Sequence, residues 1–129
     1  IKARLSKEET SSVRWIVDDI TEPVHIQDIR DIAVWHDRAV LHFLLKEKQQ
    51  KVYLSTLKKV LKNKGYVIIA AFSLKGARKC TGLDVKNYDQ NLLAKFLGED
   101  FKLLDYFDHT NYMPSGVPRQ YIYALFQKT

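Results

Sequence analysis

Four chemically capable side chains stand side by side at Trp35, His36, Asp37 and Arg38, in the stretch "VWHDRAVLHFLL", and His42 follows Arg38 by four residues. An imidazole changes charge near neutral pH and is a natural general base. Arg38 and His42 share a face if the stretch is helical, and Asp37 with Arg38 can steer a polar substrate. Each also has a plainer reading. Trp35 serves equally as a packing residue, Asp37 and Arg38 as partners of each other or of a helix terminus, and His42 in "AVLHFLL" as a buried core side chain. A metal site is not expected at His36, Asp37 and His42. Their His spacing of six matches neither i+3 nor i+4 on a helix, and no further ligands cluster nearby.

Three other places carry reactive types. Asp18-Asp19 ends the apolar run "VRWIV", the loop Leu74–Tyr88 holds Arg78, Lys79, Cys80 and Tyr88, and Tyr112 and Arg119 belong to a Pro/Gly-marked turn region. Long loops in compact domains are often functional. Cys80 has no sequence-evident partner that would activate it as a nucleophile.

These residues need a scaffold, and the composition allows one. With 129 residues, 46% of them hydrophobic, the chain is read as a single domain, 1–129, with a real core. No apolar run approaches the roughly 20 residues of a membrane span, so no membrane association is expected. One cysteine fits a reducing cytoplasm, and no targeting pattern is visible. The first residue is Ile1, and Ile1–Ser11 reads as the end of a surface helix, so further sequence upstream is expected. Lysine and arginine number 21 against 15 acids, a net charge of +6. Seven lysines fall between Lys46 and Lys64. They read as the solvated face of one helix, without the interleaved aromatics of a single-strand binding platform.

The hydrophobic pattern predicts the elements in order. Val13–Val17 and Asp31–Trp35 read as short buried strands. Glu47–Leu61 reads as a helix with Tyr53, Leu57, Val60 and Leu61 inward and lysines outward, stopped at Asn63-Lys64-Gly65. Tyr66–Phe72 (YVIIAAF), apolar on both faces, is the signature of a central strand. Asp89 caps a helix with Leu92, Leu93, Phe96 and Leu97 inward, closed by Gly98. Phe101–Asp108 and Arg119–Gln127 then form an antiparallel hairpin around a nine-residue tip, 110–118. Strands alternating with helices imply right-handed crossovers and a mostly parallel sheet. Ligands of such sheets bind outside the carboxyl ends of the strands, where Asp18-Asp19 and Trp35–Arg38 fall.

The segments "VDDIT", "DIAVWHDRAVLHFL", "TLKKVLKNKGYVIIAAF" and the closing hairpin together resemble the C-terminal half of class I S-adenosylmethionine-dependent methyltransferases. "VWHDRAVLHFL" with "KCTGLDVKNYD" is similar to a group of bacterial methyltransferases of unassigned substrate. The resemblance runs in order through nearly all of the chain. It implies an α/β fold with a Rossmann-like sheet, mostly parallel, ending in an antiparallel hairpin. It also implies S-adenosylmethionine as cofactor and a methyl transfer reaction. Asp19 matches the acidic residue that accepts from the adenine amino group, and Ile20 would add its backbone N–H and apolar contact. Trp35 and His36 would face the methionine end through their backbone. Arg38, His42, Arg78, Cys80, Tyr112 and Arg119 would surround the acceptor.

The family's glycine-rich loop has no counterpart here, since the five glycines, at 65, 76, 82, 98 and 116, form no G-x-G. The acidic end of the family's second strand is also missing. The chain therefore reads as the C-terminal portion of a longer enzyme, without its first two strands. The N/D-P-P-Y/F/W motif of amino-group methylation is absent too, which makes a small-molecule acceptor the expectation over nucleic acid. Two alternatives stand beside this one. One is a non-catalytic Rossmann-like binding module using its basic surface on RNA or an acidic partner. The other is a homo-oligomer that pairs an open edge at Val13–Val17.

Overall fold

The most apolar segment of the sequence lies in the middle of the main sheet. The structure is a computed structural model that describes residues 12–80 and 82–129. Its principal elements are β1 (Ile32–Arg38), α1 (Glu47–Val60), β2 (Leu61–Phe72), α2 (Gln90–Leu97), β5 (Phe101–Tyr112) and β6 (Pro118–Lys128). A small hairpin, β3 (Lys79–Cys80) with β4 (Leu83–Asp84), interrupts the loop after β2. The sheet order is β1-β2-β6-β5. β1 and β2 are parallel, and β6 lies antiparallel between β2 and β5. Three of the four strands therefore run the same way, and the closing hairpin supplies the one reversed strand.

β2 carries the core on both faces. Val67, Ile69 and Ala71 join the main cluster beneath the helices, while Ala70 and Phe72 join a second cluster on the opposite side. That is why its sequence lacks the alternation of a half-exposed strand. Its regular pairing with β1 starts at Tyr66, as the apolar run predicts. Between the Ile32–Leu61 and Val34–Tyr66 pairs the ladder shifts, so the Lys62–Gly65 segment is accommodated as an irregularity. Lys64 there takes φ of 68°. A Cβ on Gly65 would come within 2.9 Å of the Lys62 carbonyl oxygen, a backbone atom, so this close approach requires glycine.

α1 buries Tyr53, Leu57 and Val60, matching the inward spacing read from the sequence. At its start the Gln49 side chain accepts from the Lys46 N–H. At its end the Lys128 ammonium, arriving from β6, donates to the carbonyls of Lys58 (2.7 Å) and Leu61 (2.8 Å). A cation on the orphan carbonyls of a helix C-terminus is favourable both as hydrogen-bond donor and against the helix dipole. α2 begins at Asp89, whose carboxylate accepts from the Leu92 N–H, and ends at Gly98 with φ of 85°.

Three expectations are corrected. Val13–Val17 belongs to no strand pairing among the described residues, and Val17 is 95% exposed. A β-branched apolar run becomes a strand only where a neighbouring backbone completes its ladder. Leu92 lies 38% exposed rather than inward, because α2 turns only Leu93 and Leu97 fully into the core. The hairpin tip spans five residues, 113–117, since Thr110, Asn111 and Tyr112 pair with Gln120, Arg119 and Pro118. Proline is tolerated as the first residue of a strand. The helix end expected at Ile1–Ser11 lies outside the described residues.

Candidate functional site at the carboxyl end of β1

β1 alternates its side chains across the sheet. Trp35 and Asp37 sit opposite Val67 and Ile69 on the helix-covered face. His36 and Arg38 sit opposite Ile68 and Ala70 on the other face. The four residues therefore divide into two pairs with different tasks.

The inward pair builds a buried polar anchor. The Asp37 carboxylate accepts the N–H groups of Val40 (2.9 Å) and Leu41 (3.0 Å) and the Tyr53 hydroxyl (2.5 Å). Tyr53 in turn accepts from the Trp35 indole N–H at 3.0 Å. Burial pushes the Asp37 carboxyl above the usual carboxylate range, against the Tyr53 hydroxyl and the two amides, which favour its charged form. Burial, reinforced by Asp37, likewise raises the Tyr53 hydroxyl well above its ordinary value. The Tyr88 hydroxyl is pushed up to about 12 by burial and by Asp37. Asp37 thus holds the turn that follows β1, where Ala39 takes the left-handed φ of 65° and donates its N–H to the Ala70 carbonyl.

His42 is not at a surface. It is fully buried between Phe43 and Phe72, and its Nδ1 accepts the Phe72 N–H at 3.2 Å. Nε2 is also buried and has no hydrogen-bond partner among the described residues. Burial lowers its pKa to about 4, so it is neutral at pH 7. With Nδ1 accepting, the proton sits on Nε2. Neither nitrogen is available as a base to a substrate, and the acceptor-binding expectation for His42 is corrected to a core role.

Both pairs reach a cavity of about 280 Å³ at this end of β1, whose walls include Trp35, Asp37 and Tyr53 as well as His36 and Arg38, together with Asp18, Ile20 and Ile26. The structure thus brings together six of the residues singled out in the sequence, Asp18, Ile20, Trp35, His36, Asp37 and Arg38. Asp19 does not line it. Its carboxylate accepts both the N–H (2.8 Å) and the hydroxyl (2.7 Å) of Thr21, which lowers its pKa. Asp18 does reach the wall, but its carboxylate collects the N–H groups of Asp19, Val24, His25 and Ile26. Those backbone bonds, Ile26 first, lower its pKa to about 2.

The remaining candidates lie apart. A second, polar cavity of about 190 Å³ opens at the carboxyl end of β2, lined by Ser73, Lys75, Asp108, His109, Thr110 and Gln120. Arg78, Tyr112 and Arg119 do not line it. Tyr112 is 68% exposed near the hairpin tip, and Arg119 donates locally to the Pro118 carbonyl. The Cys80 side chain lies outside the described part of the structure. A larger groove of about 690 Å³ runs along α1 past Lys48, Lys51 and Lys59, away from the strand ends.

Residues that the sequence reading passed over complete the surroundings of Arg38. The guanidinium Nε donates to the Tyr123 hydroxyl at 3.1 Å and its carbon stands 5.1 Å above the Tyr121 ring. Tyr123 stacks on Phe107, with centroids 5.1 Å apart and planes within 3°. The alternation in "YIYALF" is the signal that could have found them. It sends Ile122, Ala124 and Phe126 to the core and leaves Tyr121 and Tyr123 on the opposite face.

Neither a model of a known protein family nor a curated protein sequence matches the chain. Solved structures do. A SAM-dependent methyltransferase from Methanosarcina mazei matches at a TM-score of 0.65 and 12% identity, over 88% of this chain and 66% of that one. TehB from Haemophilus influenzae matches at 0.64 and 14%, over 95% and 44%. The 1,6-didemethyltoxoflavin-N1-methyltransferase of Burkholderia thailandensis, solved with 1,6-didemethyltoxoflavin and S-adenosylhomocysteine, matches at 0.57 and 18%, over 81% and 48%. The chain has the class I SAM-dependent methyltransferase fold, and it spans between about half and two thirds of the length of these structures. Among the described residues no helix is long and apolar enough to cross a membrane.

Proposed function

We propose that the chain is the C-terminal portion of a SAM-dependent methyltransferase acting on a small-molecule acceptor. The observation that carries this reading is the cavity at the carboxyl end of β1, formed by Ile20, Trp35, His36 and Arg38 on a sheet of the methyltransferase fold. Open α/β sheets place their ligands at such strand ends.

The residues fit one wall of an S-adenosylmethionine site. Ile20, Ile26 and the Trp35 indole offer apolar surface for a flat base, and the adjoining carboxylates are held in fixed orientation by backbone amides. When bound, the cofactor supplies a methyl group on a sulfonium centre that leaves as a neutral thioether. This chain's part is to position. The Asp37–Tyr53 anchor fixes the turn after β1, and so fixes where His36 and Arg38 stand. Methyl transfer is an in-line displacement, in which holding donor and acceptor in line supplies much of the rate. With His42 engaged in the core, no general base is assigned.

Calorimetry with S-adenosylhomocysteine on the protein carrying this chain tests the reading. One site is expected, weakened at least about tenfold by Ile20→Asp, which places a charge against apolar surface. No heat of binding from protein with an intact far-UV spectrum overturns it.

A further inference from the structure

Arg38, Ala70, Tyr123 and Phe107 are direct cross-strand neighbours, one from each of β1, β2, β6 and β5. They form a single row across the whole sheet on the face away from α1 and α2. The small side chain in the row, Ala70, lets the Arg38 side chain cross β2 and reach the Tyr123 hydroxyl. The next row contributes Tyr121, beneath the guanidinium, and His109, whose ring meets the edge of Tyr123 at 5.9 Å and 85°.

Two properties of this row call for a ligand. Arg38 is exposed and has no carboxylate partner among the described residues, yet its orientation is fixed through Nε and the Tyr121 ring. A planar fork held in that way is suited to a carboxylate or phosphate, which it grips with two parallel hydrogen bonds. Phe107, stacked flat on Tyr123, is 54% exposed. A flat aromatic platform in water gains from a ring laid over it.

We propose that this row is a binding floor for a planar aromatic anion, the ring packing on the exposed Phe107 of the Phe107–Tyr123 stack and its anionic group gripped by Arg38. Arg38 also lines the cavity at the end of β1, so the floor runs up to the candidate cofactor wall. That the ring anion is the methyl acceptor rests on the function proposed above. Binding of the ring anion does not.

Calorimetric titration with indole-3-carboxylate, phenyl phosphate and neutral indole-3-carboxamide, with and without S-adenosylhomocysteine, tests the floor. At least one anion is expected to bind saturably, with the carboxamide weaker by about tenfold or more, the usual worth of a hydrogen bond to a charged group. Which anion binds tighter distinguishes a carboxylate from a phosphate acceptor. Arg38→Met, which keeps the stem, should abolish that preference, and Phe107→Ser should weaken all three ring probes alike. Both positions are exposed, so circular dichroism should show folded variants. Equal binding of carboxamide and anions, no binding of either anion, or no effect of Arg38→Met overturns the proposal. So does a dimer in sedimentation that Phe107→Ser dissociates, because a second copy then covers this face. If the anions bind through Arg38 while S-adenosylhomocysteine does not bind, the floor stands and the cofactor reading falls. The opposite result removes the floor alone.

Discussion

Asp37 and Tyr53 are sixteen residues apart in sequence and 2.5 Å apart in space. Sequence places both, but only the fold shows that one carboxylate closes the turn after β1 with two amides and a hydroxyl. Tyr53→Phe removes the hydroxyl that serves Asp37 and the Trp35 indole together. Leaving buried polar groups short of a partner costs about 1–3 kcal/mol, and urea unfolding should show a loss of that size. A loss no larger than that of a surface Tyr→Phe would mean the anchor contributes nothing. The inventory of capable side chains was legible at this scale, whereas their division of labour was not. Trp35 and His36 differ by one position, and the parity of a strand sends one to the core and the other to the open face.

Elements were the most legible level. α1, α2 and the central run of β2 follow from spacing and caps, because those signals are local. The misread segments were those whose state depends on a distant neighbour. "VRWIV" has a strand's composition but enters no pairing among the described residues, and Tyr112 gains its strand state from Pro118 across the tip. The same dependence appears where Lys128 of β6 caps the carbonyls of α1. No local pattern announces a partner 70 residues away. Lys128→Met keeps the apolar stem and deletes both bonds. The expected cost is about 1–3 kcal/mol, read as a lower melting temperature, and the helix should fray first at Lys58–Leu61 in hydrogen exchange. Unchanged exchange there would count against the cap.

For the molecule as a whole, burial and backbone bonds set the response to acid. The folded His42 has a pKa of about 4 against the usual 6.5, so the unfolded chain binds more protons between those values. Stability should therefore fall as pH drops from about 6.5 to 4. Asp18, near 2 against the usual 3.8, extends the loss below pH 4. Asp37 acts with the opposite sign. Its raised pKa means the folded state holds its proton longer, and its contribution declines as pH rises above 3.8. Urea midpoints between pH 7 and 4 should show the His42 limb, and His42→Gln, which keeps an acceptor for the Phe72 amide, should flatten it. A limb of the same steepness in that variant would assign it to other groups.

β6 stands between β2 and β5 although it follows both in the chain. A ribosome that has released β5 but not yet β6 therefore presents a twelve-residue strand with nowhere to dock, beside a β2 whose second edge is still bare. Both wait on the same late arrival. Whichever neighbour β6 joins first, β5 in the closing hairpin or β2 in the sheet, the four strands become one sheet only when β6 is in place.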